Sequence, residues 1–193
     1  MDEQGRAQPK LVEFIPTEIE NVLIVKPHVF GDDRGFLTET YSERNWALEG
    51  FRASFVQDNL SLSSKGTLRG MHYQLEPHAM GKLVRAVTGA VFDVGVDLRR
   101  GSPTFGRWVG RTLRAEDHAA LWLPPGFAHG FVALEDHTLV YYKCTEFYTP
   151  EAEASLAYND PDVGIEWPIE PTSISPKDLG APRLKDAKYN FVY

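Results

Sequence analysis

Apolar residues along this chain recur with a period of two far more often than with a helical period. In "VFDVGVDL" (91–98), Phe92, Val94, Val96 and Leu98 fall on one face and Asp93, Gly95 and Asp97 on the other. "GFAHGFVAL" (126–134) puts Phe127, His129 and Phe131 on one face, and "RASFVQDNLSLSS" (52–64) also alternates. Further short strands are predicted in "NVLIVKP" (21–27), "GRWVGRTLR" (106–114), "AALWLPPG" (119–126) and "TLVYYKCTEFYT" (138–149). "KLVRAVTGAVFDVGVDLR" (82–99) reads as two strands around a Thr88-Gly89 hairpin turn. One helix is predicted, "SERNWALEGF" (42–51), with Ser42 as N-cap and Gly50 near the C-cap. Strands do not alternate with helices, which argues against a doubly wound parallel sheet and for an antiparallel barrel or jelly roll. No repeat or linker divides the chain, so residues 1–193 are expected to form one domain. Residues 1–10 are expected to be loosely ordered, and residues 169–193 to form an irregular extension with short helical pieces.

Composition narrows the function. The 193 residues are 42% hydrophobic and 12% aromatic, as in a folded globular protein. Twenty basic against 27 acidic side chains leave a net charge of −7, the wrong sign for non-specific nucleic-acid binding. A locally basic pocket for a small anion stays compatible with that balance. Cys144 is the only cysteine, and "MDEQGRAQPK" has no apolar leader, so a reducing, cytoplasmic setting is expected. No apolar run is long enough to span a bilayer, and no membrane partner is expected.

Several side chains carry candidate chemistry. Read alone, His129 between two phenylalanines is either a satisfied core residue or a pocket residue. Asp93 either faces solvent or orients a histidine. Tyr142 and Tyr148, six apart, share a face if their strand is uninterrupted, either as plain lining or with a phenol free to act as an acid. Arg69 and His72 in "GTLRGMHYQ" are three apart and face opposite sides of a regular strand. Both reach one cavity only if the strand bulges, with Gly70 the natural site, or if one acts from the strand end. No His-x-His occurs, and the phosphate-loop, dinucleotide and nucleophile-elbow motifs are missing, so neither metal nor cofactor is expected.

Eight blocks in order, "DDRGFLTE", "FVQDNLS", "LRGMHYQ", "GKLVRAVTGAVFDVGVDLR", "SPTFGRWVG", "LWLPPGFAHGF", "NDPDVGIEWP" and "SPKD", resemble the dTDP-4-dehydrorhamnose 3,5-epimerases, from about Val22 to Pro182. The resemblance implies a cupin-type double-stranded β-helix and a dTDP-4-keto-6-deoxyhexose substrate. It further implies a homodimer, to which the "NVLIVKP" strand could contribute by adding to a partner's sheet. His72 matches the family's proton acceptor, Asp178 its paired carboxylate, Tyr142 the proton donor and Tyr148 a second tyrosine at the sugar. Lys82 and His129 match further pocket residues, with Asp93 the partner of that second histidine. Arg34, Glu39, Gln57, Asn59, Arg69, Glu153 and Lys177 match substrate-contacting positions, and Asp58 lies within the same "QDN" block. The rivals are an epimerase acting at C3 or C5 alone, a non-catalytic nucleotide-sugar binder and a metal-dependent cupin.

Overall fold

A computed structural model describes residues 10–193. Residues 1–9, most of the segment expected to be loosely ordered, lie outside the described residues. The chain runs through strands β1 (Val12–Pro16), β2 (Leu23–Pro27), β3 (Val29–Asp32) and β4 (Gly35–Thr38), then helix α1 (Glu43–Leu48). Strands β5 (Gln57–Ser63), β6 (Thr67–Gln74), β7 (Lys82–Thr88), β8 (Ala90–Asp97) and β9 (Trp108–Arg114) follow. Next come β10 (Ala120–Leu123), β11 (Phe127–Ala133), β12 (Thr138–Cys144), β13 (Glu153–Ser155) and β14 (Ser173–Ile174), and a single turn of helix, α2 (Pro176–Leu179).

Two sheets face each other. The first has the order β1-β2-β10-β7-β12-β5; the second has β13-β6-β11-β8-β9, with β14 added parallel to β6. Strands β3 and β4 form a separate hairpin. Between the sheets, Val84, Leu121, Leu123 and Val140 of the first pack on Val91, Val109, Leu113, Phe127 and Phe131 of the second. Each of these large side chains contributes about 1.5–3 kcal/mol by leaving water.

The outer faces are covered too. The α1 segment lays Trp46 and Phe51 over Val25, Leu83 and Trp122 of the first sheet. Leu156, Val163 and Phe191 cover Met71, Val94, Val96 and Leu98 of the second. The predicted face of "VFDVGVDL" is therefore buried under the C-terminal segment, and its aspartate face points into the barrel. Asp93 and Asp97 are both fully buried, so neither belongs to a solvated surface. Asp97 is held by Arg99, Ser102 and Thr104 at 2.6–2.9 Å.

Gly89 does not turn a hairpin. Strand β7 pairs with β10 and β12, while β8 pairs with β9 and β11. The chain crosses at Gly89 from one sheet to the other, with φ +67° and room for no side chain, since a Cβ would lie 2.4 Å from Thr138 Oγ1. A sharp corner between two strand-like runs looks the same in sequence whether the strands pair or part.

Helix α1 begins as expected, the Ser42 hydroxyl accepting from the Asn45 N–H. Strand β2 is flanked by β1 and β10, so "NVLIVKP" has no free edge to offer a partner. Among the described residues no helix is long and apolar enough to cross a membrane.

Candidate active site

Strand alternation aims a set of polar side chains at one end of the barrel interior. From the second sheet come Arg69 and His72 of β6 and His129 of β11; from the first come Lys82 of β7, Tyr142 of β12 and Ser61 of β5. With the β14–α2 segment they line a cavity of about 460 Å³, within the usual range for small-molecule sites. A smaller cavity of about 120 Å³, lined by Gln57, Asn59, Gln74, Tyr148 and Glu153, shares His72, Lys82 and Tyr142 with it.

Arg69 and His72 reach the same side because β6 bulges. His72 lies opposite His129 and Arg69 opposite Phe131, so three steps on β6 match two on β11. Gly70 absorbs the extra residue at φ +137°, and a Cβ there would come within 2.4 Å of the Gly130 Cα. Only glycine fits both the backbone and the space.

Beyond β14, Ser175 caps α2 by accepting the Asp178 N–H at 3.1 Å. This points the buried Asp178 carboxylate inward, 2.7 Å from His72 Nε2. Its other oxygen accepts the Gly70 N–H at 3.3 Å. Burial pulls the His72 imidazole below its ordinary pKa; the Asp178 hydrogen bond and charge oppose this, while Lys82 and Lys177 add to it. Neutral, oriented and facing a cavity, such an imidazole can take a proton, and Asp178 can hold the imidazolium that forms.

On the facing sheet, burial pushes the Tyr142 phenol up, so it keeps its proton at neutral pH. Burial pulls the Lys82 ammonium down, and Lys82 donates to the His72 carbonyl at 3.2 Å. His129 and Asp93 form a second pair, Nε2 to Oδ1 at 2.8 Å.

Tyr148 lies past the end of β12, so the uninterrupted strand expected to carry both tyrosines is absent. It reaches the smaller cavity from a loop whose backbone is tied to Gln57 and Gln74: the Tyr148 N–H donates to Gln57 Oε1 at 2.9 Å and the Thr149 N–H to Gln74 Oε1 at 2.7 Å. Its hydroxyl donates to Glu153 at 3.1 Å, which raises the phenol pKa. Glu153 also pairs with Lys177 at 2.6 Å. Burial works to raise the Glu153 carboxyl, but the Lys177 and Tyr148 hydrogen bonds hold it below its ordinary value.

Three expected contact residues lie outside both of these cavities. Arg34 sits at the exposed tip of the β3–β4 hairpin, paired with Asp32. Glu39 follows that hairpin and accepts both contacts from Asn45 Nδ2 at 2.9 and 3.0 Å. Asp58 is on the outward face of β5, bound to Lys143 at 2.7 Å, because only its neighbours Gln57 and Asn59 share the inward parity. Conversely, Ser61, Ser173 and Ser175 line the main cavity and were not among the expected site residues, and Phe131, expected only on the His129 face, lines it too. The alternation Gln57, Asn59, Ser61 was the available signal for the first. Among the described residues no group of three or more His, Cys, Asp or Glu side chains is placed to hold a metal ion.

Fold and pocket together define a class: a cupin-type jelly roll with acid–base side chains drawn into its barrel. The chain belongs to the dTDP-4-dehydrorhamnose 3,5-epimerase family, whose pattern matches residues 16–186. It is 50% identical over 179 residues to the dTDP-4-dehydrorhamnose 3,5-epimerase of Shigella flexneri, covering 92% of this chain and 99% of that one. It superposes on the crystal structure of the Elizabethkingia anophelis enzyme of that name with a TM-score of 0.87 at 44% identity, covering 91% and 98% of the two chains. The Legionella pneumophila dTDP-6-deoxy-D-glucose-3,5-epimerase, solved in complex with dTDP-4-keto-L-rhamnose, matches with a TM-score of 0.86 at 46% identity over 91% and 94%.

Proposed function

We propose that this protein epimerises C3 and C5 of a dTDP-4-keto-6-deoxyhexose, converting dTDP-4-dehydro-6-deoxyglucose to dTDP-4-dehydrorhamnose. The observation that carries the reading is the placing of His72, with Asp178 of α2 against it, and the Tyr142 phenol of the facing sheet around one cavity. The C4 ketone acidifies both neighbouring C–H bonds. In a gluco-configured ring these hydrogens are axial on the same face, so one base can reach both and one acid opposite can reprotonate both. His72 removes the proton and Asp178 steadies the imidazolium. Lys82 stabilises the enolate oxygen as a fixed positive charge in a desolvated site. Tyr142 returns a proton from the far side, and Tyr148 contacts the sugar. Arg69 and Lys177 hold the diphosphate, with Gln57, Asn59, His129 and Glu153 completing the contacts.

A homodimer in the cytoplasm is part of the same reading. The hairpin exposes Val29, Phe30, Phe36 and Leu37, and β5 ends its sheet with an open edge beside exposed Leu60 and Leu62. Such an edge accepts strands from another chain. A hairpin reaching a second copy would take Arg34 and Glu39 toward that copy's site, which accounts for their distance from their own. Light scattering reads the dimer directly.

The test of the reaction is incubation with dTDP-4-keto-6-deoxyglucose in deuterated water, followed by proton NMR. Exchange with inversion at both carbons is expected. Exchange at one carbon selects the single-site epimerase instead, and exchange at neither overturns the catalytic reading.

A further inference from the structure

Each inversion in the proposed reaction puts one proton on His72 and takes one from Tyr142. Afterwards the base is an imidazolium and the acid a phenolate. The second inversion cannot begin until His72 has lost that proton and Tyr142 has regained one.

His129 stands next to both groups. On adjacent strands it is the direct partner of His72 in the β6–β11 register, and side chains so paired have Cβ atoms about 4.5–5.5 Å apart. Its ring centroid lies 6.4 Å from that of Tyr142, and it lines the same cavity. Nε2 faces Asp93 at 2.8 Å, and Nδ1 makes no hydrogen bond among the described residues. Asp93 is fully buried, its Oδ2 has no partner, and no other side chain among the described residues bonds to it. A buried carboxylate answered by one imidazole alone is suited to hold that imidazole when it becomes charged.

We infer that His129 is the proton relay that resets the His72–Tyr142 pair between the two inversions; this rests on the epimerase reading above. With its Nε2 proton donated to Asp93, His129 takes the proton of the His72 imidazolium on Nδ1, through a water or a sugar hydroxyl. The His129 imidazolium, steadied by Asp93, then gives one proton to the Tyr142 phenolate. All three side chains return to their starting states, and no proton is gained or lost.

The test compares single-turnover and steady-state exchange in deuterated water. His129→Gln keeps a side-chain N–H for Asp93 but cannot carry a proton. Whatever His129→Gln costs the first inversion per site, later ones should slow about tenfold or more beyond that, so that the ratio of steady-state to first-inversion rate drops below the wild-type ratio and the singly inverted sugar accumulates. Added imidazole should restore the slow phase in His129→Ala, and Asp93→Asn, which keeps the shape, should slow that phase more than it slows the first inversion. A first inversion slowed in the same proportion as steady state, or a slow phase that imidazole does not touch, overturns the relay. A wild-type protein that exchanges neither carbon overturns the epimerase reading itself, and the relay with it.

Discussion

Asp178→Asn tests the pairing on which the proposed chemistry turns. The carboxylate is 4% exposed, sits 2.7 Å from His72 Nε2 and is held in place by Ser175 and Gly70. The substitution keeps the shape and removes the charge. A hydrogen bond to a charged group is worth about 1.5–3 kcal/mol, or about 10- to 150-fold in rate if it is felt only once the imidazolium forms. The amide can also donate to Nε2 and so favour the wrong tautomer, which extends the expected loss to about 10²–10⁴-fold. The pH profile adds a sign. Burial already places the His72 pKa below its ordinary value, and Asp178 is what pushes it back up. In the wild type, activity should fall with acid through a pKa below about 6.5. In Asp178→Asn that acid limb should move lower still, while the plateau drops. The assay is kcat/KM between pH 4 and 8 by deuterium exchange, with a melting curve to confirm folding. A plateau within about threefold of wild type, or a limb that moves upward, refutes the reasoning.

Tyr142→Phe should leave proton removal intact and block delivery from the far face. Solvent deuterium would then enter with retention while net inversion falls about 10²–10⁴-fold, and NMR that finds inversion at the wild-type rate removes Tyr142 from the role. Asp58→Asn, on the outward face of β5, should leave kcat within about twofold and cost at most about 1 kcal/mol, as an exposed ion pair does; a large loss of kcat would place Asp58 at the substrate after all. Gly70→Ala should cost about 2–4 kcal/mol from the forced φ and the clash with Gly130. Calorimetry should read this as a fall in Tm of about 5–15 °C, and an unchanged Tm would mean that the bulge tolerates a side chain.

The barrel was legible where its strands hold one parity along their length. The face of β8 carrying Phe92, Val94, Val96 and Leu98 and the face of β11 carrying Phe127, His129 and Phe131 came out as the alternation requires. Which of two readings applied to Asp93 was not legible, since a strand covered on both sides carries the same pattern as one half in water. The same parity, applied strictly to β5, would have separated Asp58 from Gln57 and Asn59. The Gly89 corner depends on long-range pairing that no local window contains, and the bulge offered at Gly70 could be decided only by the register against β11; the β3–β4 hairpin is local, with Asp32 opposite Gly35, and was not among the predicted strands. Asp178 lies over a hundred residues from His72, and only the matched "SPKD" block connected them. The site was therefore read from ordered motifs, with periodicity supplying only the wall on which each residue sits.

The carboxylate behind the base is carried by one helical turn that follows a two-residue strand at the margin of the second sheet. Changes in how Ser173–Leu179 sits can shift the strength of the base while the barrel stays as it is. Burial in the barrel lowers the proton affinity of His72 and this short segment raises it, so the segment is the part that can be retuned with least change to the core.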